Sequence, residues 1–192
     1  MIEQAATDEA NAQVRVRVLD GEASAQLEGG LKTVFAEAFA EPPYGEGPAD
    51  VDRALLRFRS HTRKAGFLAA VATGPGGQVV GMAFGHPVAA TTTWWDTLTD
   101  PVPDELRHED GKRTFGLLEL AVRPAWRRHK IATRLHTALA AAVTNERIML
   151  NSRPEAAAAQ TAYRAWGYEC AGTAIPWNGA APHHVLVLNL RR

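Results

Sequence analysis

The spacing of apolar positions divides the chain into short elements. "VRVRVLD" (Val14 to Asp20) alternates strictly and predicts a half-buried strand. In "SAQLEGGLKTVFAEAFA", Leu27, Leu31, Val34, Phe35, Ala38 and Phe39 fall at helical spacing, with Ser24 as the N-cap. "EPPYGEGP" is a loop by its prolines and glycines. A second helix starts near Asp50, with Val51, Ala54, Leu55 and Phe58 on one face. "GFLAAVAT" and "GQVVGMAFGHPVAA" flank the turn "GPGG" and predict a hairpin. Residues 91–113 are a polar, proline-bearing connection, of a length that is usually functional or disordered; the adjacent Trp94 and Trp95 argue against disorder.

"TFGLLELAV" (Thr114 to Val122) reads as a strand buried on both faces. Beyond a basic turn, Ile131, Leu135, Leu139 and Val143 repeat at four-residue spacing and predict a helix. "RIMLN" is a short buried strand. "PEAAAAQTAYRAWG" is an alanine-rich helix, with Pro154 near its start and Gly167 just past its end. "YECAGTAI" and "HHVLVLNL" predict two closing strands. This order implies one α/β domain over residues 14–192 with a mixed sheet, in which the strand–helix–strand unit of 114–151 is parallel and right-handed. Residues 1–13 read as a polar, acidic leader with no apolar stretch that would make it a signal peptide.

Composition narrows the function. The 192 residues carry no net charge, and 46% are hydrophobic, so nothing in the total points to nucleic acid or an anionic membrane; any phosphate affinity must be local. No stretch is long enough to span a bilayer. The single cysteine, Cys170, excludes an intrachain disulfide and suits a reducing cytoplasm.

Three places carry candidate chemistry. In "PAWRRHKIATRL" (Pro124 to Leu135) a basic loop enters a helix directly after the apolar strand. A helix start has unpaired N–H groups and partial positive charge, so a pyrophosphate can rest there, with Arg127, Arg128 and Lys130 adding charge. The other reading is a solvated basic helix start. Glu119 is the ionisable residue inside the apolar strand, and alternation groups it with Phe115, Leu117 and Ala121. Desolvation would raise its pKa towards that of a general base; equally, it reads as a buried carboxylate that caps a backbone group or pairs with an arginine. The histidines show no metal-ligand spacing: His183 and His184 point to opposite faces of a strand, and "RHED" around His108 reads as solvated loop.

"LAVRPAWRRHKIATRL" resembles the acyl-coenzyme A loop of the GNAT N-acetyltransferase superfamily, a strand ending L-x-V-x-P followed by Q/R-x-x-G-x-G/A opening a helix. Arg127 matches its first position and Ala132 its last, while Lys130 replaces the central glycine. "AQTAYRAWGY" is similar to the family's later motif through Tyr163, Gly167 and Tyr168; the asparagine frequent seven residues before the tyrosine is here Ala156. The resemblance implies the GNAT fold, a single mixed sheet of about seven strands flanked by about four helices.

It also implies a site. The donor would be acetyl-CoA, its pantetheine arm paired with Leu120, Ala121 and Val122 and its pyrophosphate held by Arg127, Arg128, His129, Lys130, Ile131, Ala132 and Thr133. The amine would attack the thioester directly, with Tyr163 as the acid that protonates the leaving thiolate and Glu119 as the base. Tyr44, Trp94, Trp95 and Asp96 would border the acceptor; the tryptophan pair reads either as an aromatic wall for it, with Asp96 pairing its amine, or as a lid packed on the surface. The expected protein is thus a cytoplasmic acetyl-CoA-dependent N-acyltransferase acting on a small-molecule amine, with no metal, nucleic-acid or membrane partner and with a homodimer admitted. The alternative is a catalytically lapsed GNAT fold that binds or sequesters a ligand, to which Lys130 and Ala156 point.

Overall fold

The computed structural model describes residues 13–190, so all but the last residue of the expected N-terminal leader lies outside the described residues. Seven strands form one mixed sheet in the order β1-β2-β3-β4-β5-β7-β6. They are β1 (Arg15–Leu19), β2 (Leu68–Thr73), β3 (Val79–Pro87), β4 (Thr114–Val122), β5 (Arg147–Ser152), β6 (Glu169–Ala174) and β7 (His183–Asn189). The longer helices are α2 (Glu28–Ala38), α3 (Pro48–His61), α5 (Ile131–Ala142) and α6 (Ala157–Ala165); α1 (Gly21–Ala25) and α4 (Asp104–Arg107) are single turns or little more. The expected seven strands and four principal helices are all present.

Side chains gather into two compact units. One holds the described residues up to Gly85 together with Glu119–Val143; the other holds His86–Leu118 and the described residues from Thr144 onwards. In the first, β1 pairs antiparallel with β2, and β2 with β3, with a shift of register at Ala72/Thr73. The middle of β2 is buried at every residue, and α5 and α1 both pack against the strand. Phe84 of β3 lies 5.2 Å from Phe58 of α3, 5.8 Å from Phe67 and 6.3 Å from Phe35 of α2, ring centre to ring centre. On α5, the predicted stripe of Ile131, Leu135 and Leu139 is buried, and Arg134 ties the helix to β1 by donating to the Val14 carbonyl (2.6 Å).

One expectation fails here. Ser24 is not an N-cap. The helix that carries the predicted stripe, α2, has Leu27 at its N-cap with no side-chain cap bond; Asp20 caps the separate α1, its carboxylate accepting from the Ala23 N–H (2.9 Å), and Ser24 is buried within α1, its hydroxyl donating to the Asp20 carbonyl. Asp20, four residues ahead of Ser24, captures a free N–H of α1 and leaves Ser24 inside that turn.

In the second unit, β4 and β5 pair in parallel at Thr114↔Arg147, Phe115↔Ile148 and Gly116↔Met149. β5 pairs antiparallel with β7, and β7 with β6. The core comprises Val88, Trp95, Met149, Ala174, Val185 and Val187. The long connection is ordered. Its 3-10 turn Trp94–Thr97 and the residues after it extend β6: Thr99 donates to the Thr173 carbonyl and Ile175 to that of Thr97, each at 2.8 Å. Nor is "RHED" simply solvated. Glu109 and Arg147 form an ion pair (2.9 Å) with side chains 1% and 3% exposed, and the same Glu109 oxygen accepts from Trp95 Nε1 (3.0 Å) and the Thr114 hydroxyl (2.8 Å). Its other oxygen is buried with no hydrogen-bond partner among the described residues.

Candidate active site

In the first unit, β4 leads through Arg123 and a 3-10 turn (Pro124–Trp126) into α5. The Arg123 N–H donates to the Val80 carbonyl (2.9 Å), and its guanidinium grips Glu37 through two bonds (2.9 and 2.8 Å). Arg127 does not stand free to meet a phosphate as the motif implies. Its guanidinium donates to the carbonyls of Val122 (3.2 Å) and Ala38 (3.0 Å) and to the Glu41 carboxylate (3.0 Å). Ala38 ends α2, and a helix C-terminus leaves carbonyls that a cation satisfies well.

The loop backbone turns left-handed at two residues, Arg128 (φ +67°) and Lys130 (φ +58°). Lys130 therefore takes, in the glycine position of the motif, a conformation that glycine adopts freely and that costs another residue about 1–2 kcal/mol. The Arg128 and Lys130 side chains are exposed and have no partner among the described residues. No side chain caps α5 at Lys130, so the first-turn N–H groups and two free cations share one stretch of chain. Ala132, in the first turn, is small. This stretch fits a diphosphate, through Arg128, Lys130 and the backbone of Ile131, Ala132 and Thr133.

Glu119 is half-buried and makes no hydrogen bond or ion pair among the described residues, so the arginine-paired alternative has no support. Burial pushes its carboxyl up to about 8; Arg57 on α3 works against this and Glu46 adds to it. Glu46 and Tyr44 belong to the loop between α2 and α3. That loop is pinned: the Glu46 N–H donates to the Phe39 carbonyl (2.8 Å), and the Tyr44 ring meets the Phe39 ring edge-on at 4.9 Å. The contributions of Arg57 and Glu46 were not readable in the sequence, since neither carries a motif.

In the second unit, the "YRAWGY" motif has a plain physical meaning. Trp166 is the C-cap of α6, and Gly167 follows with φ +90°. Tyr168 then donates to the Tyr163 carbonyl (3.0 Å) and Gly167 to that of Arg164 (3.1 Å), the two bonds of a Schellman closure. The turn brings Tyr168 back onto Tyr163, ring centres 5.3 Å apart, with Trp166 on Tyr163 at 5.7 Å. Tyr163 is buried. Burial pushes the Tyr168 phenol up, so it stays protonated. Ala156, which replaces the frequent asparagine, is the N-cap of α6 and makes no side-chain cap bond.

The residues expected to wall the acceptor are otherwise engaged. Trp95 is 4% exposed, bonded to Glu109 and covered by the Arg147 guanidinium 5.1 Å above its ring, so it is core. Asp96 pairs with Arg107 (2.6 Å) rather than standing open for an amine. Trp94 is half-buried, and its indole N–H donates to Asn151 (3.0 Å). Buried apolar neighbours outcompete solvent for two adjacent tryptophans, a choice their sequence does not reveal. Of the two histidines, His183 is buried, its Nδ1 2.8 Å from the Ala181 carbonyl, and His184 is half-buried. Among the described residues no three His, Cys, Asp or Glu side chains gather as a metal site, and no helix is long and apolar enough to cross a membrane.

Comparison with known proteins gives a consistent answer. The family model for the acetyltransferase (GNAT) family matches residues 31–168. No curated protein matches the sequence. Among solved structures, the ribosomal-protein-S18-alanine N-acetyltransferase from Escherichia coli superposes with a TM-score of 0.64 at 15% identity, covering 93% of this chain and 95% of that one. The PaiA N-acetyltransferase from Thermoplasma acidophilum, in complex with coenzyme A, gives 0.60 at 12% identity over 92% and 99% of the two chains. The GNAT family N-acetyltransferase YhbS from Escherichia coli, in complex with CoA, gives 0.60 at 19% identity over 93% and 82%. At these identities the structures establish the fold, and the family match, which covers most of the chain, establishes the rest: the chain belongs to the acetyltransferase (GNAT) family, whose members are acetyl-CoA-dependent N-acetyltransferases.

Proposed function

We propose that this enzyme transfers an acetyl or other short acyl group to the amine of a small molecule in the cytoplasm, with Glu119 as general base and Tyr163 as general acid. Acetyl-CoA supplies the activated acyl thioester. Glu119 takes one proton from the acceptor ammonium; the neutral amine nitrogen bonds to the acyl carbon, and as the carbon–sulfur bond breaks the Tyr163 hydroxyl gives its proton to the departing thiolate while the nitrogen sheds its second proton to solvent, as Glu119 does the one it took. The phenol then recovers a proton from solvent.

The observation that carries the reading is Glu119, a half-buried carboxyl without a partner among the described residues, raised to about 8. A base must be ionised at working pH yet hold a proton firmly once it has it, and a value near neutrality meets both needs. An arginine-paired structural carboxylate would be pushed the other way. The glycine-like backbone of Lys130 weighs against the lapsed-fold alternative, because the substitution leaves the loop's conformation open to a diphosphate. A small acceptor is favoured because the connection of residues 91–113 is ordered, with Trp94 and Trp95 tied in by hydrogen bonds and Leu98, Val102 and Leu106 packed on the core, as a lid would be.

The test is an acceptor screen. Purified protein with acetyl-CoA should release CoA thiol in the presence of particular small amines. Thiol release with amino-terminal peptides alone would overturn the small-molecule assignment. No release with any amine, despite binding of acetyl-CoA, would return the lapsed fold.

A further inference from the structure

Arg127 and Glu41 join two loops of the first unit. The Arg127 guanidinium engages all three of its nitrogens there: Nε donates to the Val122 carbonyl (3.2 Å), Nη2 to the Ala38 carbonyl (3.0 Å) and Nη1 to the Glu41 carboxylate (3.0 Å). Glu41 is also the residue on which the loop between α2 and α3 turns. Its carbonyl accepts from the N–H groups of Tyr44 (3.1 Å) and Gly45 (3.2 Å), and the Glu46 N–H closes the turn on the Phe39 carbonyl (2.8 Å). The Glu46 charge acts on the Glu119 carboxyl. One residue thus holds Arg127 by its side chain and, by its backbone, the loop that faces the base.

Chain connectivity supplies the other half. Arg127 directly precedes Arg128 and stands just ahead of Lys130, the two left-handed positions of the basic loop. A diphosphate bound across Arg128, Lys130 and the start of α5 fixes that backbone, and with it the root of the Arg127 side chain. The ion pair itself is open to water, the two side chains being 40% and 61% exposed, so it adds little to stability. What it fixes is position, because a planar fork set on three acceptors tolerates few orientations.

We propose that Arg127 is a positioning residue that links the diphosphate loop to the Glu41–Glu46 loop, so that binding of the cofactor orders the loop facing the base before the amine arrives. This rests on the readings of the basic loop as the diphosphate site and of Glu119 as the base.

The test follows hydrogen exchange at the amides of Tyr44, Gly45 and Glu46 in the full chain, with and without saturating CoA, for native protein, Arg127→Ala, Arg127→Lys and Glu41→Ala. CoA should slow exchange in native protein by about fivefold or more, and by less than about twofold in the three variants. Calorimetry should show each variant binding CoA within about threefold of native, since no phosphate contact is lost. Arg127→Lys keeps the charge beside the diphosphate but loses the fork, which separates the clasp from simple attraction. Circular dichroism reports whether each variant folds; if the Arg127 variants do not, Glu41→Ala, altered at the more exposed side chain, decides. Native amides that do not respond to CoA would overturn the link, as would a response that survives in every folded variant. A loss of CoA affinity of about tenfold or more in Arg127→Ala would make Arg127 a phosphate ligand and overturn it too. Absence of CoA binding by native protein would overturn the diphosphate site, and the link with it. Failure of Glu119 as the base shows in turnover alone and leaves the exchange result standing.

Discussion

Replacing Glu119 by glutamine keeps its shape and removes its charge. The native carboxyl stands at about 8 against an ordinary 4.5. Each tenfold change is worth 1.36 kcal/mol, so keeping the carboxylate ionised in this setting costs at most roughly 5 kcal/mol. The side chain keeps some contact with water, which halves that to about 2–3 kcal/mol. The sign follows from the direction of the shift. The folded chain holds this proton more tightly than the unfolded chain, so the stability it contributes is full below pH 4.5, declines as pH rises, and is lost above about pH 8. Glutamine does not titrate. The melting temperature of Glu119→Gln relative to native should therefore rise between pH 5 and pH 9, by roughly 4–12 °C for a chain of this size. In the same variant kcat/KM should fall by on the order of a hundredfold, and the rise of native activity with its midpoint near pH 8 should disappear. Acceptor deprotonation alone would leave that rise in the variant. A constant melting difference across pH, together with an unchanged activity profile, would refute the assignment of Glu119 as a desolvated base.

Tyr163→Phe should lower turnover by on the order of a hundredfold while the calorimetric affinity for acetyl-CoA stays level, and equal turnover would reduce Tyr163 to a packing residue. Lys130→Gly relieves left-handed strain of about 1–2 kcal/mol but makes the unfolded chain looser by about 0.5–1 kcal/mol, so thermal melts should show little change or a small gain. The same variant loses a free cation beside the helix start, and acetyl-CoA affinity should fall about tenfold at low salt and less at high salt; tighter binding at low salt would show that Lys130 is merely tolerated. Glu109→Ala strands Arg147 without its buried partner and should cost about 3–5 kcal/mol, read as a lower melting temperature; an unchanged melt would mean that water replaces the carboxylate.

Local regularities survived folding because they depend on near neighbours. The buried stripe of α5 and the face of α3 formed by Val51, Ala54, Leu55 and Phe58 follow from helical period alone. The hairpin of β2 and β3 follows from its glycine-rich turn. The Schellman closure at Gly167 was visible as a glycine after an alanine-rich helix, although its role in seating Tyr168 on Tyr163 was not. Partners remote in sequence were illegible. Arg127 sits in the right motif position, yet Glu41 and the carbonyl of Ala38 claim its guanidinium. Asp96 turns to Arg107, and Trp95 sinks into the core because Glu109 and Arg147 receive it there.

The sequence by itself determined the element order, the family, the basic loop at the start of α5 and the identity of the one ionisable residue within β4, since periodicity and motif spacing are properties of the chain before it folds. Tertiary structure decided which charges remain free. Arg128 and Lys130 do and Arg127 does not, because hydrogen-bond geometry depends on what the fold brings within 3 Å. It also decided the protonation of Glu119, which rests on how much water the packed chain leaves around one carboxyl.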